Sequence, residues 1–350
     1  MKTLVYGAGP LGSWIAGKLH EGGVDVSLLA RGQRLADLRE HGVVLEDAFS
    51  GAREAHRVDV VETLQGDDPY DLVLVVMRKD QSDAIVGTLA ANRHAQTVLF
   101  MQNNPSGFDS YVAALGAERV MAGFPVAGGE RRGHVMRVMP LPPVPMPVGE
   151  TDGRVTERTH RVADLLRRTG KRVEIRRDMD AWLVTHVPGI VAFGGLYAAD
   201  LDPERFARTR DAMLLGVRAR EEALEAQQAA GIPIRPAWFK TLPWVPEAAA
   251  VAMLRGMAGT SFFEVGVAGH SRAARGEMIH LMEAYRERVA PGGHPTPYVD
   301  RLLEHARGTI PPLPEGSRRL ALRWDKALAL GGAAALATAF VVTRRGRRPD

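Results

Sequence analysis

Residues 2–12 read KTLVYGAGPLG, a short apolar strand that runs into a turn with glycines at positions 7, 9 and 12. Gly7 allows the tight turn out of the strand, Gly9 lets the backbone approach a pyrophosphate, and Gly12 lets the next helix pack on the sheet. Free N–H groups at the start of that helix favour a negatively charged ligand. The turn is therefore predicted to bind a dinucleotide through Gly7, Ala8, Gly9, Pro10, Leu11 and Gly12.

The surroundings of this turn fit a dinucleotide site better than the alternative, an ordinary strand-to-helix turn. An apolar stripe at helical spacing follows it, at Leu11, Trp14, Ile15 and Leu19. A second strand, VDVSLLA at 24–30, comes at about the distance that a βαβ unit requires. Strand, glycine turn, helix and second strand together predict a Rossmann-type fold.

The end of the second strand indicates which dinucleotide is bound. An Asp or Glu at this tip would bond the ribose 2′-hydroxyl of NAD. Residues 30–34 instead read ARGQR, with two cations and no carboxylate. Arg31 is the predicted contact for a ribose 2′-phosphate, so the sequence favours NADP over NAD. A solvated surface cation is the alternative for Arg31.

The composition excludes several classes of function. The 350 residues include no cysteine, which excludes disulfides, thiolate catalysis and cysteine metal sites, and no spacing of the other ligand types suggests a metal. The formal net charge is +4 and basic residues cluster only near the carboxyl end, so no nucleic-acid surface is predicted. The first strand begins at residue 2 or 3, which leaves no room for a signal peptide, and a cytoplasmic protein is expected.

The first half of the chain alternates apolar strands with helices. Strands are predicted over 58–61, 71–77 and 97–103, and this pattern is typical of a mostly parallel sheet covered on both faces. From 120 to 149, short strands broken by Gly and Pro predict an antiparallel addition to the sheet edge. A helix over 156–168 and a strand over 172–175 complete a predicted NADP-binding Rossmann domain at 1–176.

From residue 178 helical spacing replaces the strand pattern. Helices are predicted over 178–199, 203–230, 246–257, 271–290 and 297–307. The second domain, 177–308, is therefore predicted to be all α-helical and to bind the substrate. A ligand cleft is expected where this domain faces the carboxyl ends of the parallel strands.

Residues 309–350 are predicted to be a linker followed by an Ala-rich apolar tail with a basic end. The uncharged segment 327–343 has seven alanines, and as a helix it spans about 25 Å, short of the ~30 Å hydrocarbon core of a membrane. Three interpretations stay open. They are a helix packed on the domain or on a partner, a membrane anchor with surface contact through 318–348, and a disordered tail.

Over roughly 1–308 the chain resembles the ketopantoate reductase family. The glycine turn, the pair Arg31-Gly32 and the segment MRKDQ at 77–81 match local patterns of that family, the last being similar to V-K-x-x-Q. The resemblance implies that Arg78 replaces a lysine that helps to hold the cofactor. It also implies that Asn103, in the turn QNN, contacts both nicotinamide and substrate and takes part in catalysis. An Asn that caps a turn before Pro105 is the alternative.

The resemblance implies three further contacts. Ala127 is the nearest candidate for a backbone contact on the nicotinamide side, and Glu277, in GEMIHLMEAYRE, would contact the cofactor from the second domain. A solvated helix face is the alternative for Glu277. The stretch 260–272 is implied to approach the substrate, with Ser261 as its contact. Ser261 stands sixteen residues before Glu277, somewhat further than in the family.

The chain departs from the family where the proton donor is expected. The family has a helix W-x-K-x-x-x-N-x-x-x-N, whose lysine donates the proton and whose asparagines hold the substrate. Aligned on Trp182, these three positions are Val184, Pro188 and Ala192, and Pro188 should kink the helix. His186 is the local candidate for a replacement acid, against the alternative of a core or surface histidine. Thr185, Tyr197, Lys240, Ser261 and His270 are further candidates.

These observations predict an NADP-dependent oxidoreductase that transfers a hydride to a carbonyl or imine of a small organic substrate. Because the lysine and both asparagines are missing, ketopantoate is not the expected substrate. The alternative is a protein that binds NADPH without turnover, as a sensor or scaffold, with its tail at a membrane. The missing proton donor is the main support for that alternative.

Overall fold

The computed structural model describes residues 1–141 and 144–324 of the chain. The predicted apolar tail 327–343 and its basic end lie outside these residues, as does most of the segment predicted to contact a membrane surface. The strands are β1 (Thr3–Tyr6), β2 (Val26–Leu29), β3 (Val43–Asp47), β4 (Arg53–His56), β5 (Asp59–Val61), β6 (Leu72–Val75), β7 (Thr97–Met101), β8 (Val120–Gly123), β9 (Ala127–Arg132), β10 (Val135–Pro140), β11 (Met146–Glu150) and β12 (Val173–Ile175).

The helices fall into two groups, separated by the last strand. Those of the amino-terminal part are α1 (Pro10–Glu21), α2 (Gly32–His41), α3 (Lys79–Ala91), α4 (Asp109–Leu115) and α5 (Glu157–Arg167). Those of the carboxyl-terminal part are α6 (Met179–Val191), α7 (Pro203–Arg208), α8 (Arg210–Ala229), α9 (Glu247–Ala258), α10 (His270–Ala273), α11 (Arg275–Val289) and α12 (Pro297–Arg307).

The main sheet has the strand order β12-β11-β8-β7-β6-β1-β2-β5. The six adjacent strands β8, β7, β6, β1, β2 and β5 are parallel to one another, and β11 pairs antiparallel with β8. Every residue of β1, β2, β6, β7 and β8 is buried, because helices cover both faces of the sheet. The predicted Rossmann-type fold with a mostly parallel sheet is confirmed.

The carboxyl ends of the central strands lie together. Because β1, β6, β7 and β8 run the same way, these ends form one border of the sheet, which we call the sheet edge and where ligands of such folds bind. The residues that follow them are Gly7, Val76, Gln102 and Phe124. The glycine turn and the QNN turn are therefore neighbours in space, although about a hundred residues separate them.

The region 120–149 matches the predicted antiparallel addition in part. β11 pairs antiparallel with β8 in the main sheet, whereas β8 is parallel to β7, and β9 and β10 join β3 and β4 in a separate sheet of order β4-β3-β10-β9. This small sheet packs over α1, where a Cβ built on Gly17 would lie 3.3 Å from a methyl of Leu45. The separate sheet was not predicted, because Gly and Pro mark the turns of this region but not the partner of each strand.

The carboxyl-terminal part is helical, as predicted for the fold class. α8 lies at its centre, buried along most of its length and packed against α6, α9 and α12. The predicted helix 203–230 is two helices, because α7 ends at Arg208 and α8 begins at Arg210, with Thr209 between them. The predicted domain boundary after residue 176 falls in the connection between β12 and α6.

The segment after α12 is tied along α8 by side chains. The Asp211 carboxylate accepts hydrogen bonds from the Ser317 hydroxyl (2.5 Å) and from the backbone N–H groups of Arg319 (2.7 Å) and Leu320 (3.1 Å). Arg218 donates to the Ala321 carbonyl (2.6 Å) and, through two nitrogens, to the buried Glu247 carboxylate (2.7 and 3.0 Å). The described part of the predicted linker is thus bound to the helical region.

One helical stretch among the described residues, Met179–Ala199, is long and apolar enough to cross a membrane. Two thirds of it, 67%, is buried inside the protein. A buried core helix of a globular protein meets the same criterion, so this stretch is weak evidence for a membrane span.

Candidate active site

The glycine turn has a different constraint at each of its three glycines. Gly7 has a φ of +122°, and a Cβ there would lie 2.4 Å from the Val76 carbonyl oxygen. A Cβ on Gly12 would lie 1.9 Å from the Gly7 carbonyl oxygen. Around Gly9 no atom lies within 4 Å of the corresponding position. Gly7 and Gly12 therefore shape the turn, whereas Gly9 leaves open space beside the amino terminus of α1, as a pyrophosphate requires.

A buried arginine holds this turn in place. The Arg34 guanidinium donates hydrogen bonds to the carbonyl oxygens of Ala8 (3.2 Å) and His134 (3.0 Å) and to the Ser13 hydroxyl (3.1 Å). Burial lowers the pKa of Arg34 to about 10, so it stays charged at neutral pH. Its donors are occupied by the protein, and it is therefore a positioning residue for the turn.

Arg31, the other arginine at this strand end, is accessible. It is the N-cap residue of α2, its side chain is exposed, and it forms no ion pair or side-chain hydrogen bond with a described residue. Arg78, the N-cap residue of α3, is also partly exposed, and Asp80 lies 3.9 Å from it. Arg31 is thus accessible to a ligand without a competing partner among the described residues, whereas Arg78 is partly exposed beside Asp80.

Asn103 and Glu277, predicted separately, are in direct contact. The Asn103 side-chain nitrogen donates to Glu277 Oε1 at 3.1 Å, across the boundary between the sheet and the helical region. The other amide atom, Asn103 Oδ1, is buried and has no partner among the described residues. A buried acceptor without a partner costs free energy, so this oxygen is suited to a donor on a ligand.

β9 separates the glycine turn from the helical region. A Cβ on Gly129 would lie 2.9 Å from the Pro10 side chain, and one on Gly128 would lie 3.3 Å from the Gly266 Cα. Ala127 begins this strand and is half-buried, and Val126 before it has a φ of +47°, which is rare for a β-branched residue. Ala127 packs, like Ala8 and Leu11 of the turn, against the core of the amino-terminal region.

His270 joins the pair formed by Asn103 and Glu277. It begins α10, directly after a π-helical segment at Phe263–Gly269, and its Nε2 lies 4.0 Å from Glu277 Oε2. Its side chain is 37% exposed. The sequence offered His270 as one candidate acid among several. Its nearness to Glu277 could not be read from the sequence, because a break at Ala274 separates the two helices.

The helix α6 carries no polar group at the position of the family's lysine. Val184 is fully buried in the core of the helical region, and α6 continues through Pro188 to Val191. The Thr185 hydroxyl donates to the Ala181 carbonyl oxygen (2.8 Å) and accepts from Gln227 (2.8 Å). These side chains maintain the packing of the helix.

His186 is unsuited to the acid role that was predicted for it. Its ring stacks on Trp182, with 5.2 Å between the ring centroids, and contacts Phe124 at 4.4 Å. Burial lowers the pKa of His186 to about 4, so its imidazole is neutral at physiological pH and has no proton to give as an imidazolium. The hypothesis that His186 is the general acid is therefore corrected.

Because its pKa is lowered, His186 should make folding pH-dependent. The unfolded chain binds a proton at this residue near pH 6.5 and the folded protein only near pH 4, so stability falls as the pH drops through this interval. The loss is on the order of 3 kcal/mol. We expect His186→Phe to remove this slope in urea titrations at pH 7.0 and 4.5, and the exposed His160→Phe to retain it. An unchanged slope in His186→Phe would contradict the buried neutral imidazole.

Ser261 is not brought to the site by any described contact. It is exposed, directly before the π-helical segment, and its hydroxyl has no hydrogen-bond partner among the described residues. The Tyr197 hydroxyl donates to the Ser271 carbonyl oxygen (3.3 Å), and burial raises the pKa of Tyr197 to about 12. The Ser261 assignment remains a prediction.

One group of side chains among the described residues has the types and spacing of metal ligands, namely Glu21, Glu54 and His56. It lies on the far end of α1, and the Lys18 ammonium pairs with Glu21 (2.9 Å) and Glu54 (2.7 Å). A cation is therefore already supplied by the protein at this place.

Comparison with known proteins agrees with the predicted family. Residues 3–141 match the model of the family described as ketopantoate reductase PanE/ApbA. The chain is 29% identical to a 2-dehydropantoate 2-reductase of Archaeoglobus fulgidus over 181 residues, 51% of the chain and 57% of that protein. It is 27% identical to the uncharacterized oxidoreductase YkpB of Bacillus subtilis over 125 residues, 35% of the chain and 40% of that protein. The aligned part spans about half the length of these two relatives.

Solved structures share the fold over nearly the whole chain. A 2-dehydropantoate 2-reductase from Geobacter metallireducens superposes with a TM-score of 0.70 at 19% identity, covering 89% of this chain and 100% of that one. A ketopantoate reductase from Ralstonia eutropha gives 0.69 at 21%, covering 88% and 97%. D-mandelate dehydrogenase with NADH and anilino(oxo)acetate gives 0.66 at 16%, covering 88% and 98%. At these identities the likeness shows the two-domain fold alone.

Proposed function

Starting from the ketopantoate reductase domain at residues 3–141 and from the two-domain fold, we propose that this protein is an NADP-dependent oxidoreductase. It reduces a carbonyl or imine of a small organic substrate that is not ketopantoate. The site is the edge of the main sheet where β1, β6, β7 and β8 end and where α11 faces them.

The observation that carries the proposal is the hydrogen bond between Asn103 and Glu277. One residue follows a central strand of the sheet, and the other lies in the first turn of α11. A polar contact between the two regions at the sheet edge is what a shared site requires, because the coenzyme and the substrate must meet there. The unpartnered Asn103 Oδ1 leaves an acceptor at the same place.

The residues present fit the coenzyme. Gly9 has open space beside it, the amino terminus of α1 is free of side-chain caps, and Arg31 and Arg78 are accessible cations. When bound, the reduced coenzyme supplies a hydride at its nicotinamide ring. The protein would hold the pyrophosphate on the glycine turn and the 2′-phosphate on Arg31, and would place Asn103 and Ala127 beside the nicotinamide.

The apolar character of α6 supports a substrate other than ketopantoate. Val184 and Pro188 stand where the family pattern has a lysine and an asparagine, and both are buried. Phe124, Trp182 and His186 form an aromatic cluster at the end of β8, which would suit a 2-oxo acid or imine with an aromatic or branched apolar group. Closure of the helical region over the sheet edge would exclude water from this place.

Arg31 gives the sharpest test of coenzyme choice. We expect Arg31→Asp to weaken NADPH binding about 100-fold and NADH binding less than about threefold, because a carboxylate repels a 2′-phosphate and accepts from a 2′-hydroxyl. The exposed Arg39→Asp on the same helix is the matched control and should bind both as the wild type does. Fluorescence titration with each coenzyme measures the constants. Equal losses for both coenzymes would count against the 2′-phosphate contact.

A second function is favoured by the buried Val184, which removes the family's proton donor. In this case the protein binds NADPH without turnover and acts as a sensor or scaffold. Incubation with NADPH and a panel of 2-oxo acids, aldehydes and imines separates the two functions. Substrate-dependent loss of absorbance at 340 nm supports the oxidoreductase, and tight NADPH binding with no oxidation by any compound supports the sensor.

A further inference from the structure

His270 lies between the two parts of the protein that would surround the nicotinamide. On one side Glu277 links it to Asn103, through contacts of 4.0 Å and 3.1 Å to the two oxygens of one carboxylate. On the other side β9 approaches the π-helical segment that ends just before His270. A Cβ on Gly269 would lie 3.6 Å from Glu130 Oε2 of that strand.

Glu277 is the carboxylate nearest to His270 that the other nearby charged groups do not occupy, because the carboxylates around it pair with arginines. Glu130, on β9, pairs with Arg132 (2.6 Å) and Arg137 (3.4 Å), and Glu264, in the π-helical segment, pairs with Arg272 of α10. On α11, Arg275 donates to the carbonyl oxygen of Ala306 (2.6 Å). Apart from the 4.0 Å approach to Glu277, the His270 ring makes no contact with a charged group of the described residues.

Reduction of a carbonyl needs a proton at the developing alkoxide as well as a hydride at carbon. None of the other candidate acids, Ser261 included, has a described contact with Asn103 or Glu277. Val184 has no proton to give, Thr185 donates within α6, His186 is neutral in an aromatic cluster, and Tyr197 donates to a backbone carbonyl. Lys240 lies in the 3-10 segment Ala237–Trp244, outside the contacts described at the sheet edge.

We propose that His270, oriented by Glu277, is the general acid that replaces the family's lysine; this rests on the proposed oxidoreductase function. The carbonyl carbon gains a hydride, the electron pair of the C=O π bond moves to oxygen, and that oxygen takes the proton from His270 Nδ1, the ring nitrogen that does not face Glu277. The products are the alcohol, the oxidised coenzyme and a neutral imidazole. Because the side chain is 37% exposed, the imidazole regains its proton from water.

In this arrangement Glu277 is a positioning residue that acts on two partners. A carboxylate beside an imidazole fixes its tautomer and orientation, as in other acid–base sites. Its second oxygen fixes the Asn103 amide, so the donor to the carbonyl oxygen and the contact to the nicotinamide share one anchor. Both groups would therefore be set in place by a single side chain of the helical region.

The test is steady-state kinetics of the full chain with NADPH and phenylglyoxylate, an aryl 2-oxo acid, as probe. We expect His270→Gln to lower kcat about 100-fold with KM changed less than about threefold, because a general acid contributes at this scale only in the transition state. The fall of kcat on the alkaline side of the pH profile should disappear in this variant. His160→Gln, an exposed histidine on α5, is the control and should match the wild type.

A binding readout that needs no turnover accompanies the kinetics. In ¹⁵N-edited spectra of histidine side chains, addition of NADP⁺ with oxamate, an inert 2-oxo acid analogue, should shift the His270 signals and leave those of His160 unchanged. The NADPH dissociation constant of His270→Gln should stay within about twofold of the wild type. Glu277→Gln should both lower kcat and weaken NADPH binding, as a residue anchoring both groups would.

The outcomes separate this inference from the function on which it rests. A wild type that reduces the probe, with His270→Gln equally active and its pH profile unchanged, overturns the role of His270 and leaves the oxidoreductase in place. Unmoved His270 signals on addition of NADP⁺ and oxamate do the same. A wild type that binds NADPH and oxidises it with no compound of the carbonyl and imine panel overturns both.

Discussion

Alanine at position 12 is expected to disrupt the coenzyme site and the fold together, whereas alanine at position 9 should disrupt coenzyme binding alone. A Cβ on Gly12 would lie 1.9 Å from the Gly7 carbonyl oxygen, so α1 would have to move away from β1. We expect Gly12→Ala to lower the free energy of unfolding by about 3 kcal/mol, as overpacking of a close backbone contact does. Thermal unfolding and NADPH titration measure the two effects.

Gly9→Ala is the informative partner of this variant. Gly9 has an extended backbone, with φ −73° and ψ −176°, and no atom lies within 4 Å of a built Cβ. The free energy of unfolding should therefore change by about 1 kcal/mol or less. Its methyl group would occupy the space assigned to the pyrophosphate, and we expect NADPH binding to weaken about 100-fold. Gly87→Ala, on the open side of α3, is the control and should lower neither the free energy of unfolding nor the affinity for NADPH. Wild-type NADPH affinity in Gly9→Ala would refute the assigned site.

The buried ion pair of Arg218 and Glu247 should be the other position with a large effect. Their side chains are 7% and 0% exposed, and Glu247 also accepts the backbone N–H of Arg323 at 2.8 Å. Arg218→Met leaves a carboxylate buried without its partner guanidinium, which costs about 3–5 kcal/mol. We expect urea unfolding to show this loss, together with detachment of residues 321–323 from α8 in proteolysis.

A double variant isolates the unpaired charge as the cause. Arg218→Met with Glu247→Leu removes both charges and should recover most of the lost stability, because buried pairs are often replaceable by apolar side chains. The exposed pair of Arg208 and Glu315, 54% and 51% exposed, is the control, and Arg208→Met should leave the urea midpoint close to that of the wild type. A double variant as unstable as Arg218→Met would show that shape, not charge, governs this site.

The local parts of the coenzyme site could be predicted from the sequence. The roles of Gly7, Gly9 and Gly12 depend on a few neighbouring residues, and the built Cβ positions agree with each of them. The two halves of the Asn103 and Glu277 contact were predicted only through the family resemblance. The structure shows in addition that these two side chains are hydrogen-bonded to each other.

The functions of the two arginines at the second strand end could not be separated from sequence. Arg31 and Arg34 are three residues apart, and both are cations near a predicted phosphate. Two of the three hydrogen-bond partners of Arg34 are backbone carbonyls, one of them at His134, a hundred residues away. A backbone acceptor has no sequence signature, so the sequence alone does not distinguish Arg34 from an arginine on the surface.

The pairing of strands that are distant in the chain could not be predicted for the same reason. β3 and β10 are neighbours in the small sheet, with Val44 opposite Val135, although about ninety residues separate them. The sequence of 120–149 predicts turns and strands but carries no record of this partner. His270 is a related case, since its approach to Glu277 depends on the angle between α10 and α11 at Ala274.

The two adjacent glycines of β9 let a single strand lie between the glycine turn and the π-helical segment. Gly129 lies against Pro10 on one face, and Gly128 lies against Gly266 on the other. The thickness of one backbone without side chains therefore sets the spacing between these two parts of the protein. A side chain at either position would force them apart, and would do so without contacting Asn103 or Glu277.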